Sequence, residues 1–199
     1  MKAARAALGL LGLAAAFGLG LAALPMAVGV LAYADPARAA AWYEAHRGDA
    51  YSAGSLAPIA RGWARRRDPA PLFAWLESLG DLGDRDPERR DAVALGFRRW
   101  LGNDRQAAAA WIRTQSPRPA LDPALAAFAS EMAATDPTDA FEWSERIGDE
   151  SLRRRTRIGV ARTWLRLDPA AAHAWLATSD LAGESDQREP GDGERGDGL

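Results

Sequence analysis

The chain has 199 residues with 25 basic and 27 acidic side chains, so its net charge is -2 and no global positive field is present to recruit nucleic acid. It contains no cysteine, which excludes disulfides, thiolate metal sites, thiol catalysis and a lipid-modified cysteine. Abundant Ala, Arg and Leu with few β-branched residues favour helices over sheet. We therefore expect an all-α protein that does not bind nucleic acid.

The N-terminus has the pattern of an export signal. Lys2 and Arg5 precede an uncharged run from Ala6 to Ala34. As a helix, residues 6–24 span roughly 28 Å, close to the thickness of the hydrocarbon layer of a bilayer. Because the basic flank stays in the cytoplasm, we expect a single-pass inner-membrane anchor with the remaining chain in the periplasm.

A second interpretation of the same segment is a cleaved signal peptide. Ala32, Tyr33 and Ala34 form a small-x-small pattern directly before Asp35. Cleavage near Ala34 would release the protein into the periplasm. Both interpretations place residues 35 onwards in the same compartment.

The middle of the chain is a repeat. The segments DPARAAAW, DPAPLFAW, NDRQAAAAW, DPTDAFEW and DPAAAHAW share one template. They end on Trp42, Trp75, Trp111, Trp143 and Trp175, which lie 33, 36, 32 and 32 positions apart. Asp followed by Pro starts a helix, because the carboxylate accepts hydrogen bonds from free amides and Pro fits the first helical position. A break and a second helix follow in each unit, which predicts four helical pairs and an unpaired last helix.

This pattern resembles the tetratricopeptide-like class of helix-turn-helix repeats. The resemblance rests on the period and on a Pro that is followed six residues later by Trp, as in Pro69 and Trp75 or Pro137 and Trp143. It implies an all-α solenoid of about four and a half α-hairpins, preceded by the N-terminal hydrophobic helix. Gly80 comes five residues after Trp75, where that family has its Gly after four, so a more general helical repeat is the alternative.

Three parts follow from these patterns. Residues 1–34 are a signal anchor or signal peptide, and residues 35–179 are the helical-repeat domain. Residues 180–199 are polar, Gly-rich and free of aromatic side chains, so we expect a disordered tail.

The sequence shows no recognisable active site. His46 and His173 are far apart and have no neighbouring His or Cys, so they are interpreted as surface or packing residues. No Ser lies in a nucleophile elbow, and the single Lys is Lys2, so no phosphate loop is present. We predict no catalytic, cofactor-binding or metal-binding residue. The recurring Trp residues are interpreted as fillers between stacked helices.

Charge segregation is the feature that points to a binding surface. Arginines concentrate on the second helices, whereas acidic residues concentrate on the first. If the second helices stack side by side, they present a basic face that includes Arg65, Arg66, Arg98, Arg99, Arg153, Arg154 and Arg155. The second helix of the third pair has no Arg and interrupts the stripe, so the alternative is a solvated surface that nearby acids balance.

These observations predict a non-catalytic scaffold or adaptor that is tethered to the membrane of the bacterial envelope and binds an envelope protein or peptide. The alternative function is a small accessory enzyme or ligand-sensing domain with a site in the solenoid groove. A short member of a longer repeat array is a third interpretation.

Overall fold

The structure is a computed structural model that describes residues 23–80 and 86–177. Within these ranges the chain forms ten α-helices, two short 3-10 helices and no strand, which confirms the all-α class. The α-helices are α1 Ala23–Ala34, α2 Pro36–His46, α3 Leu56–Trp63, α4 Ala70–Ser78, α5 Asp86–Asn103, α6 Arg105–Thr114, α7 Asp122–Met132, α8 Pro137–Glu145, α9 Glu150–Leu167 and α10 Pro169–Leu176. The 3-10 helices are Ala50–Ser52 and Pro119–Leu121.

The repeated Asp residues start helices by a local mechanism. The side chain of Asp35 accepts a hydrogen bond of 3.0 Å from the backbone N–H three residues on, and Asp136 and Asp168 do the same. Asp104, and not Asn103, performs this role for α6. Each bond satisfies one of the free amides at a helix N-terminus, so the helix starts are encoded within a few residues.

Helix α1 lies inside the segment that the sequence assigns to the leader. Its residues Val28, Leu31 and Ala32 are fully buried, and it packs against α2 and α3. A Cβ at Gly62 of α3 would lie 2.7 Å from the carbonyl carbon of Ala32 and closer still to its oxygen. The contact therefore requires glycine, and residues 23–34 are part of the same packed body as α2 and α3.

The long-range contacts follow one order along the chain. Helix α1 packs on α3, α3 on α5, α5 on α7, and α7 on α9. The intervening helices pack on this row: α2 contacts α1 and α3, α8 contacts α7 and α9, and α10 contacts α9. One buried core runs from α1 to α8, and a second, smaller cluster lies between α8, α9 and α10.

Aromatic pairs join α3, α5, α7 and α9, the second helices of the four predicted pairs, each to the helix that follows it. Three of these pairs have ring centroids 5.3, 5.4 and 5.6 Å apart, namely Trp63 with Trp75, Trp100 with Trp111, and Trp164 with Trp175. A second series connects first helices of neighbouring pairs, namely α2 to α4, α4 to α6 and α8 to α10. Its ring distances are 6.0, 4.7 and 3.9 Å for Tyr43 with Trp75, Phe73 with Trp111, and Phe141 with Trp175. Rings at these separations contribute about 0.5 to 1.5 kcal/mol per pair beyond area burial.

Some predictions fall outside the described residues. The membrane segment 6–24 does so except for Ala23 and Leu24, and the polar tail 180–199 does so entirely. Among the helices that the structure describes, none has the length and apolar character needed to cross a bilayer.

Candidate functional site: a groove across α5, α7 and α9

A groove of about 650 Å³ crosses three helices of the row. Helix α5 forms one wall, α7 the floor, and the start of α9 the other wall. The lining residues are Pro87, Arg90, Asp91, Ala94, Arg98, Pro123, Ala126, Ala127, Ser130, Asp149, Ser151, Leu152, Arg155 and Thr156.

The groove follows from the residue spacing on each helix. Counted from the first lining residue of each helix, the others lie 3, 4, 7 and 11 positions on in α5 and 3, 4 and 7 positions on in α7, which places them along one stripe of each helix. Helix α7 contributes only small side chains in its central part, Ala126, Ala127 and Ser130. The side chains of α7 are short, whereas those of α5 and α9 that face the groove include long arginines. A channel therefore remains above α7, between α5 and α9.

The walls carry more positive than negative charge. Arg90 and Asp149 form an ion pair of 2.6 Å that links α5 to the start of α9. Beyond this pair, Arg98 stands on one wall and Arg155 on the other, and both are exposed. Asp91 is the remaining acid of the lining. An anionic ligand in the groove would therefore meet a guanidinium group from each side, and guanidinium binds carboxylate in a planar, bidentate geometry.

Two aspartates fix the end of the groove. Asp122 is buried, and its two carboxylate oxygens accept hydrogen bonds of 3.0 and 2.8 Å from the backbone amides of Gly148 and Asp149. Asp149 in turn accepts a bond of 2.8 Å from the amide of Leu152. The bond from the Leu152 amide is the largest cause that holds the pKa of the Asp149 carboxyl below its usual range, and the bond from Arg90 is the next largest. The start of α9 is thus held against the start of α7.

Hydroxyl groups in the groove are engaged by their own helices. Ser130 Oγ donates to the carbonyl oxygen of Ala126 at 2.7 Å, and Thr156 Oγ1 donates to that of Leu152 at 2.8 Å. Ser151 Oγ accepts a bond of 2.5 Å from Arg155. These bonds orient the walls and do not activate any of the three oxygens as a nucleophile.

The structure brings two of the predicted basic residues together in this groove, Arg98 and Arg155. Arg154 lies in a shallow depression beside it, on α9. Arg99 is exposed on α5 but does not line the groove. Arg153 is half-buried and donates to the carbonyl oxygen of Ile147 at 2.8 Å, so it holds a turn.

The other two predicted basic residues belong to the opposite end of the row. Arg66 donates to the carbonyl oxygen of Ala34 at 2.7 Å. The guanidinium of Arg65 lies 4.9 Å from the centroid of the Tyr33 ring. Both contacts connect the end of α3 to the end of α1, so the predicted basic stripe is divided between two separate surfaces.

The repeat tryptophans lie between helices. Trp143 is buried, with its ring 4.8 Å from that of Phe128 and the guanidinium of Arg146 at 4.2 Å. Trp75, Trp111 and Trp175 are half-buried within the aromatic series described above, and the indole N–H of Trp75 also donates to Glu44 at 2.7 Å. Trp42 is half-buried, and its ring stacks on that of His46 at 4.8 Å.

Sequence reasoning did not find Asp122, Asp149 or the small residues of α7 as parts of a site. Asp122 carries a sequence signal, because Asp122 and Pro123 mark a helix start. Its role as acceptor for residues 148 and 149 depends on a tertiary contact between segments 26 or more positions apart. No pattern in the residues near Asp122 in the sequence predicts such a contact.

Within the described residues, no group of three or more His, Asp or Glu side chains is placed to hold a metal ion. His46 Nδ1 lies 2.7 Å from the carbonyl oxygen of Trp42, and His173 is exposed on α10. Comparison with protein-family models, with curated proteins and with solved structures finds no significant match to the chain.

Proposed function

We propose that the chain is a non-catalytic, membrane-tethered scaffold of the bacterial envelope, and that the groove across α5, α7 and α9 binds an acidic segment of an envelope protein. The observation that carries the proposal is the placement of Arg98 and Arg155 on facing walls above a floor of small side chains. Such a channel accommodates a peptide backbone or a slender helix, while the two guanidinium groups select carboxylates.

The packing order supports a tetratricopeptide-like solenoid as the framework. In such an array each unit contacts its neighbours, and the row α1, α3, α5, α7 and α9 has this property. A groove that crosses three members of a row gives a partner an extended contact. Because the hydroxyl groups of the groove donate to helix carbonyls or accept from Arg155, binding accounts for the groove better than turnover does.

The uncleaved anchor is the form of the N-terminus that we favour. Cleavage near Ala34 would remove α1, and the surface of α3 that meets Val28, Leu31 and Ala32 would lose its cover. Exposed apolar area is unfavourable by about 25 cal/mol per Å². Retention of residues 23–34 keeps the apolar surface of α3 covered. The run 6–24 then serves as the inner-membrane anchor, with the repeat domain in the periplasm.

Selection from a displayed peptide library tests the proposal. The full-length chain in lipid nanodiscs should enrich peptides that carry two or more acidic residues. The double variant Arg98→Glu with Arg155→Glu should lose this enrichment, because carboxylates of the peptide then meet like charge on both walls. The control, Arg38→Glu with Arg99→Glu, changes the net charge equally at exposed positions outside the groove lining. Equal enrichment by both double variants would contradict the proposal.

A further inference from the structure

The outer side of α1 presents unusual apolar area to solvent. The large hydrophobic side chains that are exposed in the described ranges are Met26, Val30, Tyr33 and Leu167. The first three recur at intervals of four and three residues on α1, which places them on one face of the helix. Their exposed fractions are 76%, 53% and 66%. A single exposed apolar side chain is ordinary, whereas an aligned set marks a surface that meets another apolar phase.

Basic side chains border this apolar side. A groove of about 420 Å³ runs between α1 and α3, with Met26 and Tyr33 on one side, Pro58 in its floor, and Arg61 and Arg65 on the other side. Arg61 and Arg65 are both exposed, and Arg65 stacks over the Tyr33 ring. Apolar side chains flanked by guanidinium groups and an amphipathic Tyr form the arrangement that suits a membrane interface.

We propose that this surface, which we name the α1 face, docks on the anionic lipid bilayer to which the chain is tethered. The α1 face consists of Met26, Val30, Tyr33, Arg61 and Arg65. Its apolar side chains enter the interfacial region, and its guanidinium groups bind lipid phosphates. The inference rests on the membrane tether of the proposed function, but it goes beyond a tether because it fixes which side of the domain faces the lipid.

Chain continuity supports lipid as the occupant. The uncharged run from Ala6 leads without a polar interruption into α1, which begins at Ala23. If residues 6–24 cross the bilayer, as the sequence predicts, the exposed residues of α1 follow directly at its surface. Met26 and Tyr33 are about 10 Å apart along the helix, so the apolar side chains of the α1 face can meet the bilayer together when the helix lies along its surface. The side of α1 that faces α3 is already covered, so the α1 face is the side left for the bilayer.

Site-specific fluorescence tests the docking. The chain has no cysteine, so a single introduced cysteine can be labelled with an environment-sensitive dye in the full-length protein. The label positions are Val30→Cys for the α1 face, Leu13→Cys for the tether, and Ala170→Cys on the exposed side of α10 as a control. The proteins are placed in nanodiscs of phosphatidylcholine and phosphatidylglycerol, with and without spin-labelled lipid that quenches nearby dyes.

The three labels separate the possible outcomes. Docking predicts blue-shifted emission at positions 30 and 13, with quenching by the labelled lipid, and neither effect at position 170. Quenching at position 13 without quenching at position 30 would overturn the docking and leave the tether intact. Quenching at neither position would reject the tether as well. A blue shift at position 30 that grows with protein concentration and is insensitive to labelled lipid would overturn the docking by showing that a second copy covers the α1 face.

Charge removal provides an independent readout. Arg61→Gln and Arg65→Gln alter exposed side chains. Arg65→Gln also removes the contact with the Tyr33 ring, so thermal unfolding of both variants serves as the control for the fold. Each should lower the ratio of docked to undocked domain about fivefold in nanodiscs that contain phosphatidylglycerol, the change expected for one basic side chain at an anionic surface. In nanodiscs of phosphatidylcholine alone, wild type and variants should behave alike. An equal docked fraction for wild type and variants in both lipids would overturn the role of the guanidinium groups.

Discussion

Two aspartates, Asp122 and Asp149, hold together the helices that form the groove. Asp122 is a buried carboxylate whose oxygens accept two backbone amides from the start of α9. Asp149 accepts a third amide and also pairs with Arg90 across the groove. The two aspartates therefore connect α5, α7 and α9 at one end of the groove. Removing either carboxylate should lower the free energy of unfolding.

Asp122→Ala should lower the free energy of unfolding by roughly 2 kcal/mol or more, because the amides of Gly148 and Asp149 lose their acceptor. Urea unfolding of the full-length chain in detergent measures the effect. Asp91→Ala is the matched control, since Asp91 is an exposed carboxylate of the same groove, and its effect should stay within about 0.5 kcal/mol. Losses of equal size would contradict a structural role for Asp122.

The lowered pKa of Asp149 gives a pH dependence with a defined sign. A carboxyl whose folded-state pKa is depressed stabilises the protein above its unfolded pKa, which is about 3.9 for Asp, and this stabilisation is lost as the pH falls through the folded-state pKa. Asp149→Asn keeps a group that can cap Leu152 but removes the charge that faces Arg90. The difference in unfolding free energy between wild type and variant should be largest near neutral pH and should close on acidification. A difference that persists unchanged into acid would contradict this assignment.

At the scale of elements, much of the helix pattern could be predicted from the sequence. Asp35, Asp104, Asp136 and Asp168 cap helices through bonds to amides three residues away, and interactions this local leave a readable signal. Helix α1 could not be separated from the apolar leader, because burial against protein and burial in lipid demand the same side chains. The groove could not be predicted either, since its walls are brought together only by the packing of α5 and α9 on α7.

The contact of α1 with α3 can be tested by a pair of glycine substitutions. Gly62→Ala places a methyl group against the backbone of Ala32, which the two helices can relieve only by moving apart, so it should destabilise the chain by about 1 to 3 kcal/mol. Gly159→Ala lies in α9, where the new Cβ has no atom within 4 Å other than those of its neighbours and of the backbone of its own helix, and it should stabilise the helix by about 0.5 to 1 kcal/mol. Unfolding free energies of both variants provide the measurement. Similar effects at the two sites would mean that α1 does not rest on α3.

The aromatic contacts between successive units make a further prediction. Trp143→Ala removes a buried ring that meets Phe128 edge-on at 4.8 Å, so it should cost about 3 to 5 kcal/mol. Trp42→Ala removes a half-buried ring at the other end of the row and should cost less. Thermal unfolding compares the two variants. A negligible change for Trp143→Ala would mean that this residue is not a filler between helices.

At the scale of the whole molecule, the two surfaces lie at different parts of one row of helices. The α1 face involves α1 and α3, and the groove involves α5, α7 and α9. Since each helix of the row packs on the next, the two surfaces are held on one packed body, and they share no residue. The sequence predicted a basic stripe that is interrupted at α7. In the structure Arg98 and Arg155 line one groove across α7, whereas Arg65 and Arg66 contact the end of α1.

The most direct test of the proposed binding function is photocrosslinking in the native host. A photoreactive amino acid at Ala126, in the floor of the groove, is compared with the same amino acid at Ala170 on α10. Binding in the groove predicts that position 126 captures an acidic segment of one envelope protein, that position 170 does not, and that Arg98→Glu with Arg155→Glu removes the product. Equal capture at both positions, or capture at position 126 that survives the double charge reversal, would contradict it.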